Sequence, residues 1–436
     1  MKLEAAGIPA ISIHTHVFAR LVKATAQANG MPTVRQVFVP QPIVGKSAAE
    51  LRAYIEGEDP VHKRPFIQGV LEGLTGGLTA EDRKGTSFDR TTPRLLPPDT
   101  EENLHRLFAD QHWTDCLPIV LPTEERVAAM LRGTSQPPDR IVGHLSPASF
   151  RELWAFDVEK VAVNAVMAGA KPEYMPVILA LAGSGMTARS SSTTSWSTIA
   201  VVNGPIRKEI GMSAGIGAMG PWNHANTAIG RAYCLLSQNL QGGSVPDETY
   251  MGTLGNWYSY SAVFPENEER SPWEPYHVQH GFKPQDSAVS VFLGGWYTQA
   301  GFGPRDTWEE KFRHCLAACE PFIGPLLVLD PLVARGFVER GIDTKQKLIL
   351  WCAENARLTA REYWDNQWSQ TLLRPYAVAG IEPYASRFKA QPDDLIRMFE
   401  EDQIHVVVTG GETQGAWKMI SGMRRGKGTI SVDEWR

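Results

Sequence analysis

Four groups of residues in this chain have the types and spacing that chemistry needs. His14-Thr15-His16 closes a short apolar run, Pro9–His14, that reads as a strand. Side chains two apart on a strand share a face, so both imidazoles would point one way, toward a divalent metal or into acid-base work. A helix cap beside a packed or surface histidine is the structural alternative. The second group starts at Asn203-Gly204-Pro205-Ile206-Arg207 and continues through Asn223, His224, Asn226 and Arg231, with glycines at 211, 215, 217 and 220. Backbone N–H groups ahead of the helix starting near Asn226 would surround an anion, Arg207 and Arg231 would supply fixed positive charge, and Asn203 and Asn226 would orient the bound group. Neither G-x-G-x-x-G nor a P-loop pattern is present, and glycine turns around a buried helix account for the segment equally well.

The third group is Glu266-Asn267-Glu268-Glu269-Arg270-Ser271-Pro272-Trp273-Glu274-Pro275-Tyr276-His277, with His280 close behind. Its prolines oppose a helix, so it reads as a shaped loop in which Glu268, Glu274 and His277 could serve as general acid and base, with Trp273 beside the substrate. The same Glu and His could join His14 and His16 around a metal. A solvated acidic loop pinned by Trp273 is the structural alternative. The fourth group is His405–Gly411, a strand running into a tight turn and then, on this reading, a helix; Gly410 and Gly411 would let backbone approach a ligand closely. Cys315 and Cys319, four apart on an expected helix beside His314, read as small core hydrophobes.

Elements of an α/β protein must position these groups. Pro9–His14, Phe18–Asn29 and Val34–Pro40 read as strand, helix and strand, a βαβ unit with a parallel sheet. The division that follows is a βαβ unit over 1–57, a linker or excursion over 58–110, and a larger α/β domain over 111–436 with a subdivision near 320 left open. In that domain we expect a strand at Leu117–Leu121, a helix capped by Thr123, two apolar helices over DVEKVAVNAVMAG and PEYMPVILALAG (the second opening at Pro172), and strands at Thr198–Val202, Pro325–Leu329 and Ile404–Thr409. A helix is expected over Lys345–Trp364. No internal repeat of fixed period is visible.

Charge and composition narrow the function classes. The net charge of -5 leaves no basic field for a phosphate backbone, and Arg424-Arg425 with Lys427 is too short a patch to argue for nucleic acid. No run reaches the roughly 18 apolar residues of a membrane span. Five cysteines without C-x-x-C spacing suggest reduced thiols and a cytoplasmic location.

The opening EAAGIPAISIHTHVFARLVKATAQANGMPTVRQVFVPQPIVG resembles the later half of the small domain in the (seleno)protein family named for a U-G-S-C or C-G-S-C motif, which is similar to selenoprotein B of glycine reductase. NAVMAGAKPEYMPVILA, VVNGPIRKEIGM, HANTAIGRAYCLLSQNLQGG and ENEERSPWEPYHVQHGF resemble the larger domain often fused behind it. The resemblance implies thiol or selenol chemistry that cleaves a bond between carbon and a heteroatom. This chain contains no C-G-S-C, and Ala170 and Ser259-Tyr260-Ser261 stand where relatives often carry cysteine. Three readings follow: an enzyme or large enzyme subunit that cleaves or forms a C-heteroatom bond in a small, polar, anionic substrate; a metal-dependent enzyme built on His14 and His16; or a non-catalytic scaffold for a partner carrying the reactive Cys or Sec. The expected assembly is a homo-oligomer, or a hetero-oligomer with a small subunit, without nucleic acid or membrane partners.

Overall fold

The computed structural model describes residues 3, 7–28, 33–43, 45–77, 80, 93–144, 155–188, 196–241, 252–255, 262–303 and 307–436. Its first unit is the expected βαβ: β1, Ser12–Thr15, lies parallel to β2, Gln36–Val39, with helix α1, Ala19–Ala28, between them in the chain. β2 buries Val37, Phe38 and Val39, types that suit a pleated, covered surface. Helix α2, Ala48–Glu56, opens with a Ser47/Glu50 capping box, and α3, Phe66–Thr75, packs on β2. Gly69 and Gly73, one turn apart, hide α3 from a periodicity reading, yet they are what lets it approach. A Cβ at 73 would stand 2.4 Å from Ile11 Cδ1, and one at 69 would stand 2.9 Å from Val37 Cγ1. Residues 58–110 therefore hold α3 and a further helix, α4, Glu101–Asp110, where the sequence reads as a linker.

The larger domain is built on one six-stranded mixed sheet ordered β11-β8-β12-β7-β5-β6. Its elements run α5, Glu124–Leu131; β3, Ile141–His144; β4, Ala155–Asp157; α6, Val158–Met167; α7, Met175–Ala182; β5, Ser197–Asn203; α8, Ile206–Glu209; α9, His224–Gln241; β6, Val263–Pro265; α10, Tyr276–Gln279; and β7, Ala288–Phe302. Then follow α11, Trp308–Ala317; β8, Pro325–Leu329; α12, Pro331–Glu339; α13, Lys345–Asn355; β9, Arg357–Thr359; α14, Ala360–Asp365; β10, Leu395–Arg397; β11, His405–Val408; and β12, Ala416–Ser431. β3 pairs with β4 and β9 with β10 outside the main sheet.

The sheet is wired twice in the same way. β5 pairs parallel with edge strand β6 and antiparallel with β7; β8 pairs parallel with edge strand β11 and antiparallel with β12. The long strands β7 and β12 join the halves, the start of each meeting the end of the other: Ala288 opposite Ser431, Ala416 opposite Phe302. The sheet curls until its edges touch, since Asn267 N, just past β6, donates to Val408 O of β11 at 2.7 Å. One apolar cluster inside the curl takes residues from all six strands, including Val201, Phe264, Phe292, Val328, Val407 and Ile420. Outside it, Ala200, Val202, Val289 and Val291 pack with α6, α7 and α9, while Leu327, Leu329, Val406, Val408 and Met419 pack with α11, α12 and α13. Inward and outward residues alternate as the strand period demands.

Several expectations are corrected. Residues 117–121 form no strand; Pro118 and Pro122 remove ladder donors, although Ile119 and Leu121 are still buried. Pro172 opens a 3-10 turn, Pro172–Tyr174, ahead of the α-helix proper. The helix expected over Lys345–Trp364 ends at Asn355, and a Thr359/Glu362 capping box starts a new one at Ala360. The segment after Gly411 is the long strand β12 instead of a helix. Asn29 of the expected first helix lies outside the described residues, as do Ser259-Tyr260-Ser261.

Candidate functional site

Four strand ends of the main sheet carry buried polar residues: Asn203 ends β5, Glu266 follows β6, Asp330 follows β8 and Thr409 follows β11. Around the first two, the side chains satisfy one another. Glu266 is fully buried; its carboxylate accepts from Lys345 Nζ at 2.6 Å, Tyr276 N at 2.6 Å, Asn203 Nδ2 at 2.7 Å and Val408 N at 3.2 Å. Burial alone would push this carboxyl up, but the Lys345 ammonium and these donors prevail and hold it below the ordinary range. Glu268 accepts from Asn203 Nδ2 at 2.9 Å and Gly204 N at 2.8 Å, and pairs with Arg207 at 2.7 Å. Arg207 also donates to Glu269, the Glu266 carbonyl and the Gly204 carbonyl. His277 is buried with its Nδ1 3.9 Å from Glu268 Oε1.

Around the other two strand ends lies a cavity of about 630 Å³. Residues 216–220 form one wall and Thr409, Gly410 and Gly411 another; Lys311, Asp330, Thr413, Gln414, Trp417 and Lys418 also line it, with Gly301, Val328 and Ala416. Carboxyl ends of parallel strands are where open α/β sheets hold ligands. The glycines are needed: Gly410 has φ +105°, and a Cβ on Gly411 would stand 2.1 Å from Ile216 Cγ1. Gly410 N donates to Ala214 O and Asn267 Nδ2 donates to Gly410 O, which fixes the turn. Asp330 Oδ1 caps α12 by accepting from Val333 N at 3.0 Å. Burial raises the Asp330 carboxyl above its ordinary value, with the Glu412 charge adding to it.

The structure brings Asn203, Arg207, Glu268 and His277 into one cluster and puts Gly410 and Gly411 in the cavity wall. It does not gather the others. Arg231 pairs with Asp115 at 2.9 Å and also donates to Pro118 O, and Asn226 holds the glycine loop by bonding Ser213 and Ala218. Arg207 and Arg231 thus have protein partners where anion binding was expected. Trp273 is buried against Phe337, and Glu274 is exposed. His14 is half-buried against Phe38 and its pKa is lowered by that burial, whereas His16 lies past the end of β1, in a 3-10 turn, and is exposed. The strand spacing that would align the two imidazoles therefore stops one residue short. Among the described residues no hydrogen bond, ion pair or ring contact joins either histidine to the Glu268 cluster, and no group of three or more His, Cys, Asp or Glu could hold a metal ion.

Sequence reasoning missed Asp330, Lys311, Trp417 and Lys418. The available signal was the Asp-Pro step at the end of an apolar strand, which marks both a helix cap and a sheet's ligand end. Of the thiols, Cys116 is exposed while Cys234, Cys315, Cys319 and Cys352 are buried; none lines the cavity.

Residues 1–59 match the UGSC family model. The UGSC match covers the βαβ unit with His14 and His16 and does not extend over the sheet that carries the cavity. No curated protein matches the chain. No helix among the described residues is long and apolar enough to cross a membrane.

Proposed function

We propose that this chain is an enzyme, or the large subunit of one, acting on a small, polar, anionic molecule held in the cavity at the ends of β8 and β11. One observation carries the reading: two lysines, a buried acid and a glycine-built turn converge on a cavity of about 630 Å³ at a sheet's carboxyl ends. Lys311 and Lys418 attract the anion, Thr413 and Gln414 orient it, and Asp330, which keeps its proton to higher pH than an ordinary aspartate, transfers a proton. Thiol chemistry of the kind implied by the glycine reductase resemblance would need a cysteine or selenocysteine from elsewhere, since the chain's own thiols are not at the cavity.

The test is turnover. Purified protein incubated with a mixture of small anionic metabolites should deplete one of them by mass spectrometry, and Asp330→Asn, which keeps the helix cap, should lose that activity with its melting temperature unchanged. An Asp330→Asn protein as active as the parent would overturn the role.

A second reading, the large subunit of a hetero-oligomer, is favoured by β1. It belongs to a two-stranded sheet, and among the described residues no strand pairs with its outer edge. A partner strand would cover that edge. Native mass measurement of protein isolated from its source decides it.

A further inference from the structure

Most of the cavity wall is apolar, and the polar groups are not spread evenly over it. At its buried side lie Val328, part of the cluster inside the curl, and Met219, which packs against that cluster; Trp417 is buried as well. The two buried polar side chains already have protein partners. Asp330 Oδ1 accepts from Val333 N at 3.0 Å, and Thr409 Oγ1 donates to Pro265 O at 2.8 Å. Gly217, Gly220, Gly301, Gly410 and Gly411 bring no side chain at all. Lys311, Thr413 and Gln414, by contrast, are exposed. The Lys311 ammonium stands over the Trp417 ring, 5.8 Å from its centroid, where charge gives way to apolar surface. Lys418 lies opposite Val328 in the pairing of β12 with β8 and is half-buried, so its carbon stem extends the apolar wall.

That gradient specifies a ligand with two unlike ends. A charged group loses least where water still reaches it, and an apolar chain gains most by leaving water. A bare carboxylate would use only the exposed side, whereas a cavity of about 630 Å³ is in the range that encloses a drug-sized molecule. Resting on the reading of the cavity as the ligand site, we propose that its ligand is a carboxylate with an apolar body of several carbons. The carboxylate is held at Lys311, Thr413 and Gln414, and the carbon chain lies against Met219, Val328 and the stem of Lys418. Each methylene that leaves water is worth about fourfold in affinity, so chain length is the property to vary.

Calorimetric titration of the full chain with hexanoate, acetate and hexanol separates the two ends. Hexanoate should bind at least about tenfold tighter than either of the others. Met219→Gln, close in size but polar, should remove most of the advantage over acetate. Lys311→Met, at an exposed position where folding is not at stake, should remove most of the advantage over hexanol. Equal binding of hexanoate and acetate, with hexanol weak, would overturn the apolar body while leaving the anion cavity standing. Hexanol binding as well as hexanoate, or no binding by any of the three, would overturn both. A preference for hexanoate that neither variant changes puts its binding elsewhere and refutes the assignment. Should Met219→Gln fail to fold by circular dichroism, the Lys311→Met comparison decides alone: an undiminished advantage over hexanol sinks the proposal.

Discussion

Glu266 and Lys345 meet at 2.6 Å with neither side chain exposed. Removing one partner of such a pair typically costs about 3–5 kcal/mol, because the other charge stays buried. Lys345→Met should therefore lower stability by that order in urea unfolding, and the loss should grow with pH. Without the ammonium, burial raises the Glu266 carboxyl in the folded state, and a raised carboxyl keeps its stability below the unfolded pKa and loses it as pH rises through the folded one. His405 works in the other direction. Burial, with the His280 and Arg424 charges behind it, lowers His405 to about 3 from an ordinary 6.5, while its Nδ1 lies 3.1 Å from Tyr276 Oη. Between those values the unfolded chain takes up a proton that the folded one refuses, so stability should fall as pH drops from about 6.5 toward 3. Melting curves across that range should be flatter in His405→Asn. At this scale, Asn203, Arg207 and Glu268 were legible as a polar group. Their partners were not: Arg231 answers to Asp115, a contact spanning 116 positions that no local pattern announces.

Strand ends and close approaches between backbones set the element scale. β8 matches its expected bounds because an apolar run bracketed by Gly324-Pro325 and Asp330-Pro331 has both period and punctuation. Gly324 has a second duty that composition does not reveal: a Cβ there would lie 1.7 Å from the Gln403 carbonyl oxygen, just ahead of β11. Gly324→Ala should push apart the two parallel strands under the cavity and destabilise the protein by more than about 2 kcal/mol in denaturant titration. An unchanged midpoint would mean the backbone yields at no cost. β12 was misread for the converse reason. Its glycines and the register shifts in its pairing with β7 break the alternation by which a strand is recognised, and only pairing with β7 and β8 on both sides fixes it as one.

The α/β class could be read from alternating elements, and the twofold wiring of the larger sheet could not. Its halves are alike in backbone pairing, since Glu266 N donates to Val202 O as Thr409 N donates to Leu329 O, and unlike in side chains, Glu266 against Thr409 and Glu268 against Gly411, so a search for repeated letters passes over it. The family match stops at residue 59, so what the larger domain does has to be argued from its own geometry. A practical handle comes from the thiols. Four of the five cysteines are buried and Cys116 alone is exposed, so Ellman's reagent should titrate one equivalent in native buffer and five in guanidinium. A maleimide dye would then mark a single defined point beside the Arg231–Asp115 pair, giving a spectroscopic ruler without any engineered mutation.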